Sequence, residues 1–143
     1  MLKNQKISFY VAAAAALCGV IALIMLFVSN GTMGYPIQNS GTAILCAILA
    51  VIACACSLFV QMKNGSELIV SALRIIALGL IMAALTVTLA DRAVVAGGLF
   101  TWNSLDSFAW SAFYTGVACI VFQVLMAMLI LASGCMKQGA KAA

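Results

Sequence analysis

Four apolar runs, at approximately residues 7–29, 42–61, 68–89 and 108–133, occupy nearly all of this 143-residue chain. The hydrocarbon core of a bilayer is about 30 Å thick and takes roughly 20 apolar residues in a helix to cross. Each run meets that length within about a turn. The sequence therefore predicts an all-α membrane protein, a four-transmembrane-helix bundle with short loops, with residues 1–143 forming a single four-span domain. Apolar residues make up 66% of the chain and charged residues 7%, against roughly 45–50% and about 25% in soluble domains. A water-soluble fold could not hide so much apolar surface, and the spans leave no length for a separate catalytic module.

Charge placement predicts how the chain is threaded. Lys3 and Lys6 precede the first run, Lys63 separates the second from the third, and Lys137 and Lys141 follow the fourth. If the chain weaves back and forth, all five fall on one side, and the other side carries Arg92 beside Asp91, with Asp106 further on. The excess of Lys in short loops places both termini and the Lys63 turn in the cytoplasm. The net charge of +4 is accounted for by topology and forms no soluble basic face, so no nucleic-acid partner is expected. Lys3 and Lys6 could head a signal peptide, but a signal h-region is only about 7–15 residues long. The first run is longer and reads as a true span. Short loops and this basic-inside layout suit an integral plasma membrane protein of a bacterium.

The six cysteines do not form an extracytoplasmic disulfide framework. Cys18, Cys46, Cys54, Cys56 and Cys119 lie within the runs and Cys135 at a cytoplasmic end, where cysteine serves as a small hydrophobe. Small residues let helix backbones approach closely in lipid. Ala12/Ala16 and Ala15/Gly19 in the first run have the required four-residue spacing, and so do Ala50/Cys54 and Ala112/Gly116. These pairs are expected to line the inside of one bundle.

Residues 30–41 read as a short uncharged outer connection, and 62–67 as a tight turn built on Asn64-Gly65, with Ser66 as a helix cap. The stretch 90–107 reads as the longest outer connection, either an interfacial anchor or a lid over the bundle mouth. It contains Asp91, Arg92, Gly97-Gly98, Trp102 and Asp106. Trp102 and Trp110 are expected in an interfacial aromatic belt, and Asp106 or Ser107 is expected to cap the fourth helix.

Few residues could carry chemistry. Arg74 is ionisable and lies within a run, which makes it a functional candidate by default. It is expected to snorkel back to the inner interface and to meet Glu67, which shares its helix face. Gln123, near the middle of the fourth run, is expected to hydrogen-bond across to another helix. Thr86 and Thr88 are expected to bond their own helix. The chain has no histidine and only Glu67, Asp91 and Asp106 as carboxylates, which removes the usual general base and the commonest metal ligand. No catalytic, cofactor or metal site is expected. The functional expectation is a small non-catalytic membrane protein that self-associates or serves as an accessory subunit of a membrane complex, such as a transporter. A small oligomeric channel or transporter is the alternative, with Arg74, Gln123 and the outer charges Asp91, Arg92 and Asp106 along its path; Glu67 and Trp102 complete the candidate polar contacts. Its partners are then the lipid bilayer and either further copies of the chain or a larger membrane protein.

Overall fold

The computed structural model describes residues 2–32, 34–63, 66–102 and 106–139, with side chains described for 7–32, 34–63, 66–101 and 106–136. The described residues form four helices: α1 (Leu2–Asn30), α2 (Ser40–Met62), α3 (Glu67–Trp102) and α4 (Ser107–Gly139). All four are long and apolar enough to cross a membrane, and no strand occurs among the described residues. The expected Asn64-Gly65 turn lies outside the described residues. So do the side chains of Lys3, Lys6, Trp102 and Lys137, and the whole of Lys141.

The sequence-based boundary fails at the end of the third run. Residues 90–102 do not form a connection, because α3 continues through them as one helix of 36 residues. At 1.5 Å per residue it is about 54 Å long. Gly97 and Gly98 suggest a break, since each costs a helix about 1 kcal/mol relative to alanine. Packing outweighs that cost. Arg92 and Leu99 are buried at 2% and 3% exposure, and the Phe100 ring meets Trp110 and Phe113 of α4 edge-on.

A single pattern sets how the helices meet. On α1 the buried residues are Ser8, Ala12, Ala15, Gly19, Ala22, Leu26 and Ser29, at alternating steps of four and three. The same steps run through Ala43, Ala47, Ala50, Cys54 and Ser57 on α2 and through Val70, Arg74, Ala77, Ile81, Ala84 and Thr88 on α3. They recur on α4 through Ala112, Gly116, Cys119, Gln123, Met126, Ile130 and Ser133. A 3.5-residue repeat is the register of a coiled-coil seam. Here the seam is made mostly of small residues, while Leu17, Ile24, Phe27, Leu45, Phe59, Tyr114 and Met128 point outward. The helices are therefore sorted by side-chain size rather than by polarity. For helices in lipid, hiding leucine would bring no hydrophobic reward and close backbone approach would be the available source of packing energy.

Each helix packs on its chain neighbours, and α1 also packs on α4, which closes a four-membered ring with α1 diagonal to α3. The α1–α4 approach is tight enough for Cys119 Sγ to lie 3.5 Å from the Ala22 carbonyl. A Cβ on Gly19 would lie 2.7 Å from Met126 Sδ and 2.8 Å from Val51 Cγ2. Gly19→Val is therefore expected to destabilise the bundle by about 1–3 kcal/mol through overpacking. Gly134→Ala, whose Cβ meets nothing within 4 Å, should be neutral or mildly stabilising. Reversible unfolding in mixed micelles would compare the two.

Candidate functional site

Two arginines of α3 organise the polar groups inside the bundle. Arg74 and Arg92 are 18 residues apart, which is five turns at 3.6 residues per turn, so both lie on one line of the helix. That line faces the interior. The separation along the axis is about 27 Å, close to the roughly 30 Å hydrocarbon thickness of a bilayer.

Arg74 lies at the end of the bundle that holds both chain termini. Its Nη1 donates to the Ser133 carbonyl of α4 at 3.1 Å and to Ser8 Oγ of α1 at 3.4 Å. Its Nη2 donates to Gln61 Oε1 of α2 at 2.8 Å. Ser8 Oγ in turn donates to the Ser133 carbonyl at 3.0 Å. One guanidinium thus joins all four helices and reaches α1 across the diagonal. The expected snorkelling and the expected Glu67 pair are both corrected: Arg74 is 5% exposed and turns inward to three neutral oxygens. A guanidinium offers several donors in a fixed fork, and the seam presents acceptors from three helices at that level. Its Nε is buried without a hydrogen-bond partner.

Arg92 plays the corresponding part at the opposite end. Its Nη2 donates to the Ser29 carbonyl at 3.0 Å and to the Tyr35 carbonyl at 3.2 Å, and Nη1 also donates to the Tyr35 carbonyl at 3.2 Å. Asp91 lies 3.9 Å from Nη1. Arg92 is therefore not a loop charge, as its position suggested, but a buried strut. Gly116 makes room for its stem, since a Cβ there would lie 2.8 Å from Arg92 Cγ and Cδ.

The same end holds the α1–α2 connection in place. Gln38 N–H donates to Asp91 Oδ1 at 3.1 Å, and Ile37 N–H to Asn30 Oδ1 at 3.0 Å. The Tyr35 hydroxyl donates to Asp106 Oδ2 at 3.0 Å, while Asp106 Oδ1 caps α4 by accepting from Phe108 N–H at 3.0 Å. Asp91, Arg92 and Asp106, dispersed in the sequence, thus converge on residues 35–38. A groove of about 690 Å³ lies beside them, between this connection and the C-terminal half of α3, with Thr86 and Ala90 in its wall. Asp106, as hydrogen-bond acceptor, holds the Tyr35 phenol above its ordinary value, and burial adds to the effect.

Gln123 departs from expectation. It is 1% exposed on the α4 seam, and neither amide atom has a hydrogen-bond partner among the described residues. The flanking seam is built of Ala, Gly, Cys and Met, which offer the amide little to bond. Thr86 and Thr88 do bond their own helix, to the Met82 and Ala84 carbonyls at 2.9 Å. Ala12, Ala15, Gly19, Ala112 and Gly116 are buried and Ala16 is half-buried. Glu67, the first residue of α3, borders a groove shared with Arg74. Trp110 sits in an aromatic cluster with Phe100, Phe113 and Tyr114, while the Trp102 side chain lies outside the described residues.

Sequence reasoning overlooked Ser8, Gln61 and Ser133 around Arg74, and Ser29 and Tyr35 around Arg92. A signal existed: Ser8 and Ser29 terminate the small-residue series of α1 in its own 3.5-residue register. No three His, Cys, Asp or Glu residues gather to hold a metal among the described residues. No protein-family model, curated protein or solved structure matches the chain.

Two tests follow from this geometry. Arg74→Lys keeps the charge but loses the fork, and hydrogen bonds to charged groups contribute about 1.5–3 kcal/mol each. It should lower unfolding stability by roughly 2 kcal/mol or more, and a fully stable Lys variant would contradict the four-helix tie. At the other end, a raised phenol pKa means that the Tyr35 contribution is complete below the unfolded value of about 10 and is lost as pH rises through the folded value. Tyrosinate absorbance should show one phenol titrating at lower pH in Asp106→Asn than in the native protein, with no change if the contact is absent.

Proposed function

We propose that this chain is a non-catalytic integral membrane protein that acts as an assembly subunit, docking a further transmembrane helix on the outer face of α3. The observation that carries this reading is a second small-residue series, on the side of α3 opposite the seam. Gly79, Ala83, Thr86, Ala90, Ala93 and Gly97 follow one another at steps of four and three, and all are exposed. Nothing lies within 4 Å of a Cβ built on Gly79 or Gly97. Large exposed side chains such as Ile75, Met82, Leu89 and Val94 flank the series on α3, as Phe27, Leu45 and Tyr114 stand on the outward faces of the other helices. Within the bundle, small residues in this register are what hold helix against helix, and the same spacing on an open face suits another helix, from a second copy or a larger membrane protein.

The packed interior also favours a subunit over a pore through the single chain. Ala15, Ala50, Cys54, Ala77, Ile81 and Met126 fill one half, and Leu26, Ala43, Ala47, Ala84 and Cys119 fill the other. The lysine bias supports cytoplasmic termini in a bacterial plasma membrane. The lack of histidine and the scarcity of carboxylates support a non-enzymatic role without a cofactor.

The test is the pair Gly79→Leu and Ala83→Leu on the full chain in nanodiscs. Both sites face outward, so unfolding stability should move by less than about 0.5 kcal/mol. The assembled species, sized by native mass spectrometry and by crosslinking in the membrane, should fall to the single chain. Assembly unchanged in the double variant would refute the α3 docking face.

A further inference from the structure

Beside the Arg92 layer, the groove between residues 34–39 and α3 encloses about 690 Å³, within the range of small-molecule sites. It lies where α1 ends at Asn30 and α2 begins at Ser40. In the bilayer that the subunit reading assumes, this is the level where hydrocarbon gives way to headgroups, at the end opposite the termini. A single chain supplies the whole groove.

Its polar lining includes groups with bonding capacity to spare. The Asn39 side chain makes no capping bond to α2, and Gln38 uses its backbone N–H, not its side chain, to reach Asp91 Oδ1. Both side-chain amides border the groove on exposed residues, and each offers two donors and an acceptor. Asp91 Oδ2 is 3.9 Å from Arg92 Nη1, beyond hydrogen-bond distance, and the Asp91 side chain keeps 15% exposure. The hydroxyls of Tyr35 and Thr86 are committed elsewhere, to Asp106 and to the Met82 carbonyl. Pro36, Val87, Val94 and Val95 supply the hydrocarbon of the lining. Bonds from Asn30, Asp91, Arg92 and Asp106 tie residues 35–38 down, so the amides are presented by an ordered connection, and little ordering cost remains for binding.

Charge and shape together select the occupant. A phosphate at this mouth would face the Asp91 carboxylate. An ammonium has donors alone and would leave the amide N–H groups without an acceptor. A sugar ring meets both demands, since its hydroxyls donate and accept along the edge while its C–H faces pack on hydrocarbon. We propose that this groove binds the uncharged hexosyl headgroup of a glycolipid. The ring hydroxyls bond to the Gln38 and Asn39 amides and to Asp91 Oδ2, and a C–H face lies against Pro36 and Val94. The lipid tail runs past Val87 toward the middle of the bilayer.

The experiment is native mass spectrometry of the full chain in a polyoxyethylene detergent, because a sugar detergent would compete. The probes are glucosyldiacylglycerol, phosphatidylglycerol and phosphatidylethanolamine of identical acyl composition. One glucosyldiacylglycerol should be retained with a preference of roughly tenfold over either phospholipid, the share of one or two net hydrogen bonds. Phosphatidylglycerol has hydroxyls but an anionic phosphate, so it separates the sugar from its charge. Gln38→Ala combined with Asn39→Gly should reduce the preference to near parity at unchanged helix content. The backbone N–H at position 38 still reaches Asp91 in that variant, and glycine accepts the φ of 58° found at Asn39. Equal retention of the three lipids by the native chain, or a preference for either phospholipid, would overturn the proposal, as would full preference in the double variant. Gly79 and Ala83 do not line the groove, so the Gly79→Leu, Ala83→Leu pair should keep the glycolipid. Failure of the sugar site and failure of the docking face are therefore separable.

Discussion

A guanidinium inside an apolar bundle must find acceptors or be expelled, and α3 carries two of them on one inward line. Neither escapes. Arg74 gathers Ser8, Gln61 and Ser133, and Arg92 gathers the Ser29 and Tyr35 carbonyls. Because α1 and α3 are diagonal partners, these bonds cross the centre of the ring rather than reinforcing a pair already packed. Small side chains alone would permit the helices to slide along the seam. The two polar layers fix the axial register, since a slip of one residue would separate both guanidinium groups from their acceptors.

Much of the architecture follows from that fixed register. The seam between the layers can be built from alanine, glycine and cysteine, which pack closely but specify position weakly. Gly116 becomes necessary because the Arg92 stem occupies its space. The α1–α2 connection is short and carries no charge of its own, so Asp91, Arg92, Asn30 and Asp106 supply what holds it. Among the polar seam residues outside the two layers, Ser57 and Thr88 bond their own helices, whereas the Gln123 amide has no hydrogen-bond partner among the described residues.

The inside-out arrangement of size also separates folding from association. Large apolar side chains face outward on all four helices, Ile75, Leu89 and Val94 of α3 among them. Between them on α3 runs a series of small exposed residues resembling the seam itself. A chain that folds by close approach of small residues can use the same device to assemble, without any reactive group.

The number of helices and their class were legible in the sequence, because each apolar run is continuous and long enough to cross a bilayer, but the end of the third helix was not. The small pairs on the first, second and fourth runs were visible for the same local reason. Tertiary structure decided the rest. Glycine pairs and charges at 90–107 read as a connection, yet burial of Arg92 and Leu99 and the Phe100 contacts keep that stretch helical, and no local propensity registers a contact with another helix. Snorkelling was the natural fate for Arg74 considered on one helix. Acceptors contributed by the other three helices, brought to its level only by folding, turned it inward. Sequence determines which residues are polar within an apolar chain, but whether each faces lipid, water or a carbonyl depends on neighbours tens of residues away.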